Sequence, residues 1–311
     1  MYGADRRPIS YSVDDCLRLV AGVDSAGRPT RWLSTGAIFL ALYGKSRRAF
    51  TSWMPNALPA TGADWEAYLD SMVARDGPLG RLDSAVQQAE AVLGRRPGGY
   101  EVAIMAPYPD PGSDTLRFSG TLYDFHTGAG RAGAVRAYLR ELVHRFPSAG
   151  FQRLQLRGVY WLREGIAPED TSTVRATADV VHAAGLRFLW IPYFRARGIA
   201  GWRRLGFDEI WYQPNYFFHP EIGPARMDSA WANARRFGAG LEIELDRRLL
   251  TDTLFRHRLD PYLQLLEDHP EARAGSIAIY EGAGALIDLS RSRRAEDRAL
   301  YERFLWLVGQ D

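Results

Sequence analysis

The stretch "GLRFLWIPYFRARGIAGWRRLGFDEIWYQPNYFF", from Gly185 to Phe218, contains two short apolar runs separated by a segment rich in glycine and arginine. Short runs of aliphatic and aromatic residues bounded by such segments are typical of buried β-strands. Between Phe188 and Phe218 there are 11 aromatic residues in 31, about three times the chain average of 12%. This excess indicates either a large core or a wall of rings that stacks on a substrate.

The same order of apolar run, turn and amphipathic stretch recurs along the chain. We predict eight strands: Leu17–Val23, Gly36–Tyr43, Tyr100–Ala106, Arg153–Val159, Leu186–Ile191, Glu209–Gln213, Gly240–Leu245 and Ser276–Tyr280. Strands that alternate with helices of about 10–15 residues indicate parallel βαβ units. We therefore predict an α/β fold, a single (β/α)8 TIM barrel over residues 1–311, with an enlarged two-helix excursion at Gly44–Gly99 between strands two and three. An open doubly wound sheet is the alternative, but no glycine-rich phosphate fingerprint follows the first predicted strand.

Composition narrows the possible partners and cofactors. The net charge is only +2, from 39 basic and 37 acidic residues, so we expect no nucleic acid as a partner. Cys16 is the single cysteine, which excludes an intrachain disulfide and a cysteine zinc cluster, and the six histidines form no His-x-His pair. We expect no metal, no other cofactor and no membrane as a partner. The N-terminus "MYGADRRPIS" lacks the apolar stretch of a signal peptide, which indicates a cytoplasmic protein, or a secreted one if the chain has been trimmed. The oligomeric state stays open.

In a TIM barrel the chemistry lies at the carboxyl ends of the strands. After the fourth predicted strand comes "GVYWLREG", which contains Glu164. In the seventh strand, "GLEIELD", period-two alternation places the aliphatic residues on the face towards the helices. The acids Glu242, Glu244 and Asp246 then face the barrel axis. Buried carboxylates are costly unless they are paired, so three in a row indicate a site.

Two carboxylates on opposite sides of a pocket are what glycoside hydrolysis requires. We predict a retaining glycosidase with Glu164 as general acid/base and Glu244 as nucleophile, with the carboxyl groups about 5–5.5 Å apart; about 6.5–9.5 Å would indicate inversion. Tyr160 and Trp161 should raise the pKa of Glu164 by excluding water. Glu244 would need Arg157 or Asn215 to stay ionised. Asp246 and Glu281 are the next candidates for the nucleophile.

The expected substrate is a carbohydrate, a polysaccharide or an oligosaccharide. Aromatic rings stack on sugar faces, and amide side chains hydrogen bond to hydroxyl groups. Residues that follow strands five and six should form one wall of the pocket: Tyr193, Gln213, Asn215 and Tyr216. Further candidates from other strand ends are Tyr108, Tyr160, Trp161, Glu242, Asp246 and Glu281. About half of the 11 rings should belong to the core instead.

Structural explanations compete with each of these assignments. Glu242 could be the partner of an inward Arg157, Glu164 a solvated loop residue, and Glu244 an interior salt-bridge partner. Three other functions are open: a metal-dependent hydrolase, a phosphate-binding enzyme using the "EGAGAL" loop, and a non-catalytic carbohydrate-binding barrel.

Several motifs together resemble a known bacterial family, the domain of unknown function 4855. They include "AIMAPYPDP", "GVYWLREGI", "GLEIELD" and "IAIYEGAGAL", and the similarity spans roughly residues 11 to 290. The resemblance implies a glycosidase-like barrel, often attached to secreted polysaccharide-degrading proteins. It also implies site roles for Glu164, Gln213, Asn215, Tyr216, Glu242 and Glu244. Glu281 stands where relatives tend to have Gln or Asp, and the lack of a signal peptide departs from the family's secreted habit.

Overall fold

A computed structural model describes residues 10–54, 56–96, 98–282 and 284–309 of the chain. The strands are β1 Ala21–Val23, β2 Pro29–Trp32, β3 Gly36–Phe39, β4 Tyr100–Ala106, β5 Thr115–Phe118, β6 Thr121–Asp124, β7 Leu154–Trp161, β8 Arg187–Trp190, β9 Glu209–Tyr212, β10 Gly240–Asp246 and β11 Ile277–Gly282. The helices are α1 Val13–Val20, α2 Gly62–Val73, α3 Pro78–Leu93, α4 Gly128–Ser148, α5 Thr171–Ala183, α6 Ala225–Phe237, α7 Arg248–Thr251, α8 Thr253–Asp268, α9 Pro270–Arg273, α10 Ala285–Arg291 and α11 Ala295–Val308. Two 3-10 segments span Pro168–Asp170 and Ile199–Leu205.

Seven parallel strands form the main sheet, in the order β11-β10-β9-β8-β7-β4-β3. The sheet curls into a half-barrel. Within the described ranges, its two edge strands, β3 and β11, do not pair with each other. The prediction of a closed eight-stranded TIM barrel is therefore wrong. The α/β class and the two helices α2 and α3 between the second and third predicted strands are present.

The first predicted strand, Leu17–Val23, is the source of the error. Ser12 and Asp15 form a reciprocal capping box, which starts helix α1 at Val13. Cys16, Leu17 and Val20 are then buried on one face of that helix. Only Ala21–Val23 is extended, and it pairs antiparallel with β2 outside the main sheet. An apolar run this short fits one face of a helix as well as a strand, which is why the prediction was wrong. Because most of the run is helical, the main sheet of the described residues has seven strands and not eight.

A second antiparallel pair, β5 and β6, follows β4 and was not predicted. Ser119 and Gly120 join the two strands, both with positive φ (46° and 79°). Positive φ at both turn residues is what a two-residue hairpin needs, because the twist of such a turn matches that of the strands. The "SG" pair in "TLRFSGTLYD", between two segments of alternating apolar and polar residues, was the sequence signal for this hairpin.

Part of the aromatic excess belongs to the layer between the sheet and its helices. Phe188 and Trp190 of β8 both stack on Phe207, with ring centroids 4.4 Å and 5.0 Å apart. All three side chains are at most 4% exposed. These rings form the core under the loops that carry the candidate site.

The inner face of the half-barrel carries small side chains. Ala103 of β4 pairs with Gly158 of β7, and Gly36 of β3 lies one inner position further towards the start of the strands, opposite Glu101. Closed barrels fill the equivalent layers with bulky residues. Here the space, which is also lined by Ala278, is a cavity of about 1430 Å³.

Strand β7 contains a bulge where it pairs with β4. Leu156 pairs with Val102 and Gly158 with Ala103, so Arg157 is an extra residue in the ladder. The Arg157 side chain is 51% exposed and lies 3.5 Å from the Glu101 carboxylate. The expectation of an inward Arg157 that neutralises Glu242 or Glu244 is wrong for this reason.

No helix in the described part of the chain has the length and apolar character needed to cross a membrane. The N-terminal residues read for a signal peptide, 1–9, and Ala283 of the "EGAGAL" loop lie outside the described residues. A single domain over residues 1–311 stays a prediction.

We expect Phe207→Ala to lower the free energy of unfolding by about 3–5 kcal/mol, because it removes the ring on which Phe188 and Trp190 stack. Denaturant unfolding measures the change. Leu122→Ala removes a side chain that is 55% exposed and should change the free energy by about 0.5 kcal/mol or less. Equal effects of the two substitutions would contradict the assignment of Phe207 to the core.

Candidate functional site

Three glutamates influence one another on the inner side of the sheet. Glu164 lies in the loop after β7, while Glu242 and Glu244 project from the inner face of β10. The charge of Glu244 raises the pKa of Glu164, and the charges of Glu244 and Glu164 both raise the pKa of Glu242. Groups that influence one another in this way share one electrostatic environment.

Glu244 is fully buried and is held by hydrogen bonds on both carboxylate oxygens. The Tyr262 hydroxyl donates to Oε2 at 2.5 Å, and the Tyr216 backbone N–H donates to the same oxygen at 3.1 Å. Gln213 Nε2 donates to Oε1 at 3.3 Å, and the Asn215 backbone also hydrogen bonds to the carboxylate. Burial raises the pKa of Glu244, and these donors oppose that rise because they stabilise the charged form.

The loop after β9 is shaped so that it supplies these donors. Asn215 has φ of 52°, in the left-handed region that few residues other than glycine and asparagine adopt readily. This conformation lets the backbone N–H groups of Asn215 and Tyr216 both reach Glu244. The Gln213 backbone N–H donates to the carbonyl of Pro192 at 3.0 Å, which ties the start of the loop to β8. Asn215 was expected to help Glu244 stay ionised, and it contributes to this through its backbone.

Glu164 has a different environment. No described residue donates a hydrogen bond to its carboxyl group, and desolvation, followed by the charge of Glu244, raises its pKa to about 7. A raised pKa was expected from the neighbouring rings. A carboxylic acid with this pKa keeps its proton under conditions in which ordinary glutamates are ionised.

The loop that carries Glu164 is fixed on both sides. The Trp190 indole donates to the Arg163 carbonyl at 2.8 Å, and the Arg163 guanidinium donates to Asp170 at 3.0 Å. Tyr108 completes this network by donating to Asp170 at 2.9 Å and contacting Arg163. These residues position Glu164 by restraining its neighbour in the chain.

Glu242 has an orphaned oxygen. Its side chain is 3% exposed, and Oε2 accepts no hydrogen bond from any residue that the structure describes. Desolvation and the charges of Glu244 and Glu164 raise its pKa well above the usual value. Arg157, the partner considered from the sequence, lies with Glu101 instead.

The remaining predicted residues divide by location. Tyr160 projects inwards, and the pKa of its buried hydroxyl is raised by burial and by the charges of Glu164 and Glu242. Tyr193 is 38% exposed and lies at the rim of the site. Its ring packs so closely on Gly165 that a Cβ atom at that position would lie 3.1 Å from it. Asp246 lies beside Arg248, at 2.8 Å. The Tyr216 ring is buried beneath the Arg258 guanidinium, 3.8 Å from the ring centroid.

Three predicted residues do not join this cluster. Tyr108 and Trp161 pack edge to face on the helix side of the sheet, with centroids 6.1 Å apart. Glu281 pairs with Leu245 and so lies on the opposite face of β11 from Tyr280, where the Tyr11 hydroxyl donates to it at 2.7 Å and the Leu286 backbone N–H at 3.3 Å. Burial raises the pKa of Glu281 to about 7.

Sequence reasoning missed two tyrosines. Tyr262 lies on α8, a helix that the sequence patterns did not predict and that contains Pro261 in its interior. Tyr280 pairs with Glu244 in the β10–β11 register and therefore shares its inner face. Burial and the charges of Glu242 and Glu164 raise the pKa of Tyr280 to about 12. Side chains alternate between the two faces of β11, and this alternation could have identified Tyr280, and not Glu281, as the residue on the same face as Glu244.

The side chains of the described ranges form no group of three or more potential metal ligands. The chain belongs to the family of the domain of unknown function DUF4855, whose model matches residues 1–305. The resemblance inferred from the sequence motifs is thereby confirmed at the level of the family. A comparison with curated proteins gives no match.

We expect Asn215→Ala to be less stable than Asn215→Gly by about 1 kcal/mol, because only glycine adopts the left-handed conformation without strain. Denaturant unfolding of both variants provides the comparison. Equal stability would show that the left-handed backbone at this position carries no strain.

We expect Tyr262→Phe to raise the pKa of Glu244 further, because the substitution removes a donor to the charged carboxylate and leaves the ring in place. Carbon-13 NMR titration of the glutamate carboxyl groups measures the shift. Tyr301→Phe removes a buried hydroxyl that contacts Val23, and it is the matched control. An unchanged Glu244 titration in Tyr262→Phe would contradict the role of this hydrogen bond.

Proposed function

We propose that this protein is a glycoside hydrolase in which Glu164 acts as general acid/base and Glu244 as nucleophile. The observation that carries the proposal is the unequal environment of two electrostatically coupled carboxyl groups. Glu244 receives hydrogen bonds from Tyr262, Tyr216 and Gln213, whereas no described residue donates to Glu164. Titratable groups in unequal environments are the usual basis for dividing acid and base roles.

The proposed chemistry follows from these environments. Glu164 donates its proton to the glycosidic oxygen as the bond to the anomeric carbon breaks. Glu244, with its charge stabilised by the surrounding donors, attacks the anomeric carbon and forms a glycosyl-enzyme intermediate. Glu164 then removes a proton from water, which hydrolyses the intermediate and restores both groups. This sequence retains the anomeric configuration.

Two features support a carbohydrate as substrate. The space beside the carboxyl groups combines inward hydroxyl groups, Tyr160 and Tyr280, with the amide of Gln213. A cavity of about 1430 Å³ reaches this space at Glu242 and Tyr280 and extends from there along the inner side of the sheet. Its volume is large enough for several sugar units, since typical pockets for small molecules measure about 300–1,000 Å³.

We expect Glu164→Gln and Glu244→Gln each to lower kcat by a factor of about 10² or more, because each removes a group that takes part directly in bond cleavage. A screen of polysaccharides and aryl glycosides identifies the substrate, and steady-state kinetics then compares the variants. Glu169→Gln, an exposed glutamate on the same side of the sheet, is the control and should retain full activity. Full activity of Glu244→Gln would refute the assignment, and NMR of the first-formed product anomer tests retention.

Hydrolysis should decline as the pH rises through about 7. The pKa of Glu164 is raised to about 7, so the proton needed for the first step is present below that pH and is lost above it. A pH profile of kcat/KM measures this limb. An enzyme whose kcat/KM stays constant from pH 6 to pH 9 would contradict Glu164 as the general acid.

A further inference from the structure

Two buried acceptor atoms belong to residues that each interact with Glu244. Glu242 Oε2 and Gln213 Oε1 both lack a hydrogen-bond donor among the described residues. Gly240 pairs with Trp211 and Leu241 with Tyr212, so Glu242 and Gln213 are the residues that directly follow the last pair of this register. Buried acceptors in native proteins nearly always have a donor, so this pair indicates where a ligand supplies one.

Glu242 is directed into the space in which a ligand would lie. Its side chain is 97% buried by protein, yet it lines the cavity of about 1430 Å³ together with Tyr280. Gln213 already uses its amide nitrogen to hold Glu244. One of the two acceptors, Gln213 Oε1, thus belongs to the amide that holds the proposed nucleophile.

The titratable groups that act on Glu242 are acidic. Desolvation and the carboxyl groups of Glu244 and Glu164 raise its pKa, and no arginine or lysine of the described residues is among these influences. The nearby guanidinium groups have other partners: Arg163 binds Asp170, Arg248 binds Asp246, and Arg157 and Arg187 bind Glu101. Arg258 donates to backbone carbonyls of residues 216, 217, 219 and 222.

We propose that Glu242 and Gln213 bind the protonated amino group of a sugar, so that this site takes a glycan containing non-acetylated hexosamine. An ammonium group supplies three N–H donors, enough for Glu242 Oε2, Gln213 Oε1 and one further acceptor such as the Tyr280 hydroxyl. It also brings the positive charge that three adjacent carboxyl groups lack. A neutral hydroxyl group supplies one donor and no charge, which is why the amine is favoured.

This assignment rests on the proposed function for the nature of the ligand, but it is tested by binding alone. Glucosamine and galactosamine, as monosaccharides and as fully deacetylated oligosaccharides, are compared with their N-acetylated and neutral counterparts by isothermal titration calorimetry. Binding is measured on the Glu164→Gln variant, in which turnover is suppressed. We expect at least one amino sugar to bind about tenfold more tightly than its N-acetylated and neutral counterparts.

Substitution of the recognising carboxyl group provides the second test. Glu242→Gln keeps the shape of the side chain and should reduce the affinity for the amino sugar to that of the neutral sugar. Glu221→Gln removes an exposed carboxylate from the loop after β9 and should leave the preference unchanged. Circular dichroism establishes that each variant is folded, and the comparison of ligands on the Glu164→Gln protein stands even if Glu242→Gln does not fold.

The outcomes separate the two proposals. Equal affinity for amines and neutral sugars, or a preference that survives in Glu242→Gln, overturns amino-group recognition and leaves the hydrolase assignment intact. A Glu242-dependent preference for the amine, with no bond cleaved by the unaltered protein, supports recognition and overturns the hydrolase assignment.

Discussion

Burial of three carboxyl groups on the inner face of one curled sheet is the constraint on which the candidate site depends. Each group taken from water is costly in its charged form, and each raises the cost for its neighbours. The chain treats the three differently. Glu244 is surrounded by donors. Among the residues that the structure describes, none donates a hydrogen bond to Glu164 or to Oε2 of Glu242, which lines the cavity. A fold that needed only stability would place apolar residues at these positions.

The incomplete barrel and the cavity have a common origin. A short apolar segment near the N-terminus becomes helix α1, so the sheet ends at β3 and β11 without closing. The small residues Ala103 and Gly158, which pair with each other on neighbouring strands, leave space where a closed barrel would be packed. Space next to buried acid groups is what a polar ligand needs.

Local patterns in the sequence were sufficient for several features and insufficient for others. Alternation in "GLEIELD" identified Glu242 and Glu244 as inward residues. The aliphatic side chains of this strand pack against the helices, so the residues between them must lie on the opposite, inner face. The number of strands was wrong because Leu17–Val23 suits two structures, and a reciprocal cap at Ser12 decides between them. The ion pair of Arg157 with Glu101 depends on a bulge against β4, and the hydrogen bond from Tyr262 to Glu244 depends on a helix that contains Pro261. Contacts between distant segments of this kind are not encoded in the periodicity of either segment.

Helix α8 contributes to the candidate site as well as to the fold. The hydroxyl of Tyr262 accepts from the Phe217 backbone N–H at 3.2 Å and donates to Glu244, so one helix on the outside of the sheet holds a group on the inside. Proteins open locally at free energies well below that of global unfolding. Detachment of α8 alone would remove a donor from Glu244 while the seven strands stayed paired. Thermal inactivation would then precede the loss of secondary structure, and the temperature range of function would be set by the docking of one helix and not by the stability of the sheet.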